Sequence, residues 1–202
     1  MSDKVWASLI PINTNRLLAM SHALDKEQAI EAEKRDEAGE PLGPEWFPVE
    51  IWTMSERSRD YARLPPIFYA RSAWVVNGAC AAVLRRFDLG LGALYPVRIL
   101  KLDRVTPYDG EYFCLNIGNA KHAFLPAQSN RADDWPGGRW HPPYVLEDGD
   151  FAVSEAALQG PDLWVDPLIV RTLFMSEALG DALKAAKLDK PFILSSCRVM
   201  AG

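Results

Sequence analysis

Trp74-Val75-Val76-Asn77, then Cys80, Val83, Leu84 and Phe87, then Leu94-Tyr95-Pro96-Val97-Arg98-Ile99, is echoed ninety-nine residues later. The second copy runs Leu173-Phe174-Met175-Ser176, then Leu179, Ala182, Leu183 and Ala186, then Phe192-Ile193-Leu194. Each copy reads as an apolar strand, a cap, an amphipathic helix and a second strand. Asn77 and Ser176 suit the cap because their short side-chain oxygens can accept from a free amide of the first turn. Apolar residues three and four apart then line one helix face. Leu89 and Leu188 keep the register beyond the helix. Two copies at so long a period indicate a pseudo-duplicated fold, since stacked-repeat arrays need at least about three short units.

The expected architecture is therefore α+β: a mainly antiparallel sheet carrying helices from two pseudo-repeated strand-helix-strand modules. Trp74, Val76, Val83, Leu84, Val97, Ile99, Phe113, Leu115, Phe174, Leu179, Leu183, Phe192 and Ile193 form the expected core. Between the modules, Ile99 to Leu102 and Glu111 to Ile117 read as strands of a hairpin turning at Pro107-Tyr108-Asp109-Gly110. Upstream, Val5 to Ile12 reads as an edge strand ended by Pro11, and Val49 to Met54 as another strand that leads into a helix entry at Ser55-Glu56.

The 202 residues are 49% hydrophobic and 24% charged, a balance suited to one compact domain. Within it, residues 1–44 read as an N-terminal strand plus an acidic helical arm, and residues 45–202 as the main α+β body. Seven acids and three bases between Asp25 and Glu40 put −4 of the net −5 in one stretch. Its helix, from about Asp25 to Ala38, shows few apolar residues and reads as a solvated arm or a lid, with an acidic docking surface as the lesser alternative. Asp25 with Gln28 resembles a capping box, and Gly39 is the expected stop. With no basic stripe to neutralise phosphates, nucleic-acid binding is not expected. No run approaches the roughly 20 apolar residues of a membrane span, and Met1-Ser2-Asp3-Lys4 lacks a signal-peptide pattern, so a cytoplasmic protein with no membrane partner is expected. Cys80, Cys114 and Cys197 read as buried thiols.

The chemical inventory is sparse. Met54-Ser55-Glu56, Val153-Ser154-Glu155 and Met175-Ser176-Glu177 are read as helix entries, because none lies in a Gly-x-Ser-x-Gly elbow. His22, His122 and His141 stand singly, without metal-ligand spacing, and Gly90-x-Gly92 is no dinucleotide fingerprint. No catalytic group, metal or cofactor is assigned. Asn119 to Tyr144 reads as a long irregular segment rich in Pro, Gly and Trp. Within it Trp135, Arg139, Trp140 and Tyr144 are residue types that dominate binding hot spots. Together with Glu31 and Asp36 of the acidic helix, they are the candidate partner-binding residues.

Several of these features resemble immunity protein family eleven of the bacterial polymorphic toxin systems, earlier catalogued as a domain of unknown function. They are the capped helix before Leu94-Tyr95-Pro96-Val97, the strand Tyr112-Phe113-Cys114-Leu115-Asn116-Ile117, the polar Gln128-Ser129, and Leu173-Phe174-Met175-Ser176-Glu177 with Leu179, Leu183 and Leu188. The resemblance covers about Trp46 to Val199. It departs from the family pattern at His122-Ala123-Phe124-Leu125, where an acidic residue is usual. What it implies is a non-catalytic protein that binds and neutralises a cognate toxin. Two rivals stand beside it: a structural protein that forms a homodimer through exposed apolar strands or the Trp-rich loop, and an enzyme with an unrecognised cleft using Asp133, His141 or Glu147.

Overall fold

The computed structural model describes residues 4–9, 20–54 and 63–201. In chain order they form β1 (Val5–Ser8), β2 (Met20–His22), α1 (Lys26–Glu37), β3 (Glu50–Thr53), β4 (Ile67–Ala70), β5 (Ala73–Asn77), α2 (Gly78–Leu84), β6 (Ala93–Leu100) and β7 (Tyr112–Asn116). There follow β8 (Asp133–Trp135), β9 (Arg139–His141), β10 (Ala152–Ser154), β11 (Leu163–Trp164), β12 (Leu173–Ser176), α3 (Glu177–Ala185), α4 (Asp189–Phe192) and β13 (Leu194–Met200). The class is α+β. One sheet has the order β10-β13-β1-β12-β11, a second β2-β3-β6-β7-β5-β4, and β8 pairs with β9 in a ribbon. Only β10 with β13 and β3 with β6 run parallel among these neighbours.

Both modules take the same form. β7 lies between β5 and β6, antiparallel to each, and β1 lies between β12 and β13, again antiparallel to each. Each strand-helix-strand unit is thus split by one inserted strand. The caps lie where their chemistry puts them: Asn77 Oδ1 accepts from Cys80 N at 2.9 Å and Ser176 Oγ from Leu179 N at 3.2 Å. Ser154 opens a single 3-10 turn without a side-chain cap bond, and Ser55-Glu56 lies outside the described residues.

Alternate residues of these strands enter different cores, as a sheet buried on both faces requires. Trp74, Val76, Phe113, Leu115, Leu173 and Met175 join α2 and α3 in a central core, where Leu84, Leu179 and Leu183 are fully buried. Val75, Cys114 and Ile99 face a second core under Leu42 and Phe47. Phe174, Val5 and Ala7 face a third with Phe124 and Phe151. Cys80, Cys114 and Cys197 are all buried and free. Among the described residues, no helix is long and apolar enough to cross a membrane.

Four expectations are corrected. The first strand is central, not an edge: β1 is buried throughout and bonded on both sides, and its expected continuation to Ile12 lies outside the described residues. Phe192-Ile193 is not strand: α4 ends at the fully buried Phe192, and half-buried Ile193 takes a left-handed conformation (φ 51°) before β13 begins. Pro191 within that first turn costs no helical bond, which lets so short a helix form. The β6–β7 hairpin reverses before Asp109-Gly110: Lys101 N donates to Thr106 O, and the Asp103 carboxylate accepts from the amides of Val105 and Thr106. Finally, the long segment before Tyr144 is not unpatterned, because it contains the β8–β9 ribbon.

Candidate functional site

α1 begins at Asp25, whose carboxylate accepts from Glu27 N at 2.8 Å and Gln28 N at 3.3 Å. The expected box is not closed by Gln28, whose amide donates instead to Glu45 O at 2.7 Å. The helix stops at Gly39 (φ 75°) with bonds from Gly39 N to Asp36 O and from Glu40 N to Arg35 O, the paired closure of a Schellman motif. A Cβ at Gly39 would stand 2.6 Å from the Asn119 carbonyl, so the close approach also demands glycine.

This helix is docked on the body, which corrects the reading of it as a solvated arm. Ala29, Ala32 and Asp36 form its buried side. Asp36 Oδ1 accepts from Asn116 Nδ2 at 2.6 Å and Ile117 N at 3.1 Å, at the end of β7. Asn116 Oδ1 in turn accepts from Leu42 N at 3.0 Å. Burial pushes the Asp36 carboxyl up to about 7, against the pull of those two hydrogen bonds. Asp36 is therefore a docking group, 5% exposed, and cannot contact a partner directly. Glu31 is exposed and pairs loosely with Lys34 at 3.9 Å. Glu33 accepts from the Tyr69 hydroxyl at 2.7 Å, and burial raises its carboxyl too.

The C-terminal end of α1 meets the Trp-rich segment. Arg139 reaches Glu37 at 3.4 Å, so the two regions named by the sequence as partner-binding touch each other. Trp135 pairs with Arg139, Asp134 with Trp140 and Asp133 with His141. Gly137 and Gly138, with φ of 83° and 73°, make the turn. Strand alternation puts Asp133, Trp135, Arg139 and His141 on one face of the ribbon and Asp134 with Trp140 on the other. Half-buried Trp140 packs on the third core and exchanges backbone bonds with Leu168 and Val170. That anchors the ribbon and turns the opposite face outward.

On that outward face the Trp135 and His141 rings lie 4.8 Å apart. Trp135 is 41% exposed and Tyr144, just beyond β9, is 72% exposed. Val145 and Leu168 add further exposed apolar surface. An exposed aromatic surface on a ribbon tied to a packed core is preorganised for contact, which lowers the ordering cost of binding. Trp140 is its support, not its contact residue.

Asp133 and His141 are cross-strand neighbours, but Glu147 pairs with Arg131 at 3.3 Å and His141 Nδ1 lies 2.7 Å from Pro142 O. Among the described residues, no group of three His, Cys, Asp or Glu could hold a metal ion. One pair escaped the sequence reading: His22 Nε2 lies 2.8 Å from Ser72 Oγ, with the imidazole held below its usual value by burial and by Arg71. Both residues are buried and His22 Nδ1 has no partner among the described residues, so no third group that would orient a catalytic base is seen there. They lie fifty positions apart and share no motif, so no local signal joins them. Two shallow grooves, of about 510 and 350 Å³, flank Tyr108 to Tyr112 and contain none of the candidate residues. Compared with protein-family models and with curated proteins, the chain matches none of them.

Proposed function

We propose that this chain is a non-catalytic binding protein of the immunity type, which captures a protein toxin and holds it inactive. The observation that carries this reading is the outward face of the β8–β9 ribbon, where the exposed Trp135 ring lies against that of His141, with Tyr144 exposed shortly after β9. Trp and Tyr supply large contact area at low entropic cost, and buried aromatic anchors dominate interface energies. The acidic helix beside the ribbon adds exposed charge at Glu31, which favours rate of encounter and partner choice over affinity. The sequence resemblance to immunity protein family eleven supports the same reading.

The test is capture of a single stoichiometric partner by the tagged protein from its native cells, compared with Trp135→Ala and with Tyr144→Ala. The partner, expressed alone, should arrest growth. Co-expression with the intact chain should restore growth, and co-expression with Trp135→Ala should not, while the melting temperature of that variant stays within a few degrees of the parent. Recovery of nothing but the protein itself, or a partner that is not toxic, would discard the reading.

A further inference from the structure

The two strands of the ribbon are not equally satisfied. Trp140 N donates to Leu168 O at 2.7 Å, and Trp140 O accepts from Val170 N at 3.0 Å. Both backbone groups of Trp140 thus point away from β8, which makes Asp134 and Trp140 a non-hydrogen-bonded pair of the antiparallel ladder. It follows that the N–H and C=O of Asp134 also point away from β9, outward along the free edge of β8. All three residues of β8 are exposed, and nothing among the described residues bonds to that edge. Charge marks the same edge. Arg139 is matched by Glu37, and Arg131 by Glu147 and Asp150, whereas Asp133 and Asp134 have no ion pair among the described residues.

Resting on the partner-binding reading above, we infer that β8 receives an extended, lysine- or arginine-bearing segment of the partner as an added strand. Asp134 supplies the backbone donor and acceptor, its carboxylate meets the cationic side chains that share its face of the ribbon, and Trp135 covers the apolar side chains on the outward face. Main-chain bonds then give the attachment and the side chains give the selectivity, as in other strand-addition complexes. The short, acidic edge also fits this occupant better than a second copy, because two such edges would oppose four carboxylates.

The probe is a capped hexapeptide alternating lysine and valine, titrated into the whole chain and followed by amide NMR, beside the same peptide with glutamate for lysine. The lysine peptide should shift the Asp134 and Trp135 amides, slow exchange of the Asp134 amide proton, and weaken as salt rises; the glutamate peptide should do none of these. Asp134→Pro removes the outward donor but no bond to β9, so it should lower the affinity at least tenfold with the melting temperature kept. Asp134→Lys keeps the backbone and should invert the preference toward glutamate. Equal response to both peptides, no response to either, or unchanged binding by Asp134→Pro would overturn the inference. So would a dimer of the chain that Asp134→Pro dissolves. A toxin lost by Trp135→Ala yet retained by Asp134→Pro would overturn strand addition alone and leave the binding face standing.

Discussion

In the first module the middle strand arrives locally: β7 follows β6 through a hairpin and slots between it and β5. In the second, the equivalent place between β12 and β13 is filled by β1, from the opposite end of the described chain. The helices differ in the same sense. Ala81 of α2 and Gly180 of α3 are equivalent, ninety-nine positions apart. A Cβ at Gly180 would stand 2.7 Å from Trp6 Cγ, so the second helix has given up its side chain to admit the ring carried by β1. Two copies of one local pattern have thus been completed by different long-range partners, and α2 and α3 share one central core.

The comparison breaks most severely if the distant strand is removed. Deleting residues 4–9 takes the centre out of the five-stranded sheet and should abolish cooperative thermal unfolding in near-UV circular dichroism; a retained sharp transition would mean the second module closes without β1. Next, Leu84→Ala and Leu183→Ala should each cost about 2–5 kcal/mol in urea denaturation, since both residues are fully buried. Because both face the same core, the pair should be non-additive. Strict additivity would separate the modules energetically.

Asp36 sharpens the comparison on the β7 side, where a carboxylate ties α1 to the inserted strand. Its folded value of about 7 lies above the ordinary 3.8, so folding favours the protonated form. That contribution is full below about pH 4 and fades as pH rises through about 7. Relative to the parent, Asp36→Asn should therefore gain stability, by up to a few kcal/mol, as pH increases across this window. Parallel pH profiles of melting temperature for the two proteins would show that Asp36 is not the titrating group. Smallest is the exchange at the equivalent helix positions. Gly180→Ala should cost about 1–3 kcal/mol by overpacking against Trp6. Ala81→Gly should cost about 1 kcal/mol by lost helix propensity. Equal costs would remove the asymmetry between the helices.

What could be read beforehand follows from range. Asn77, Ser176 and the apolar spacing behind them act within one turn of helix, so the opening strand, cap and helix of both modules are legible, as are the bounds of α1 from Asp25 and Gly39. The closing strand of the second module is not, since Phe192 ends a short helix. Nor is the place of β1, because Val5-Trp6-Ala7-Ser8 carries no mark of which strands it joins. α1 reads as an arm in the sequence because its buried side is made of Ala29, Ala32 and a carboxylate. Small residues and one satisfied acid look solvated in a sequence. In the candidate site, the aromatic residues were visible but their faces were not. Pro136-Gly137-Gly138 between two tryptophans was a usable turn signal, and reading it would have separated outward Trp135 from anchoring Trp140.

The position of β1 also bears on the order of events during synthesis. At about 5–20 residues per second, β12 follows β1 from the ribosome only after roughly ten to thirty seconds. Throughout that interval Val5, Trp6 and Ala7, all buried in the finished protein, have no strand on either side. The six-stranded sheet can assemble as the chain emerges, but the five-stranded one waits for β12 and β13. Between the emergence of β1 and that of β12, a nascent chain therefore carries an uncovered apolar strand, an expected point of contact for the chaperones that meet newly made chains.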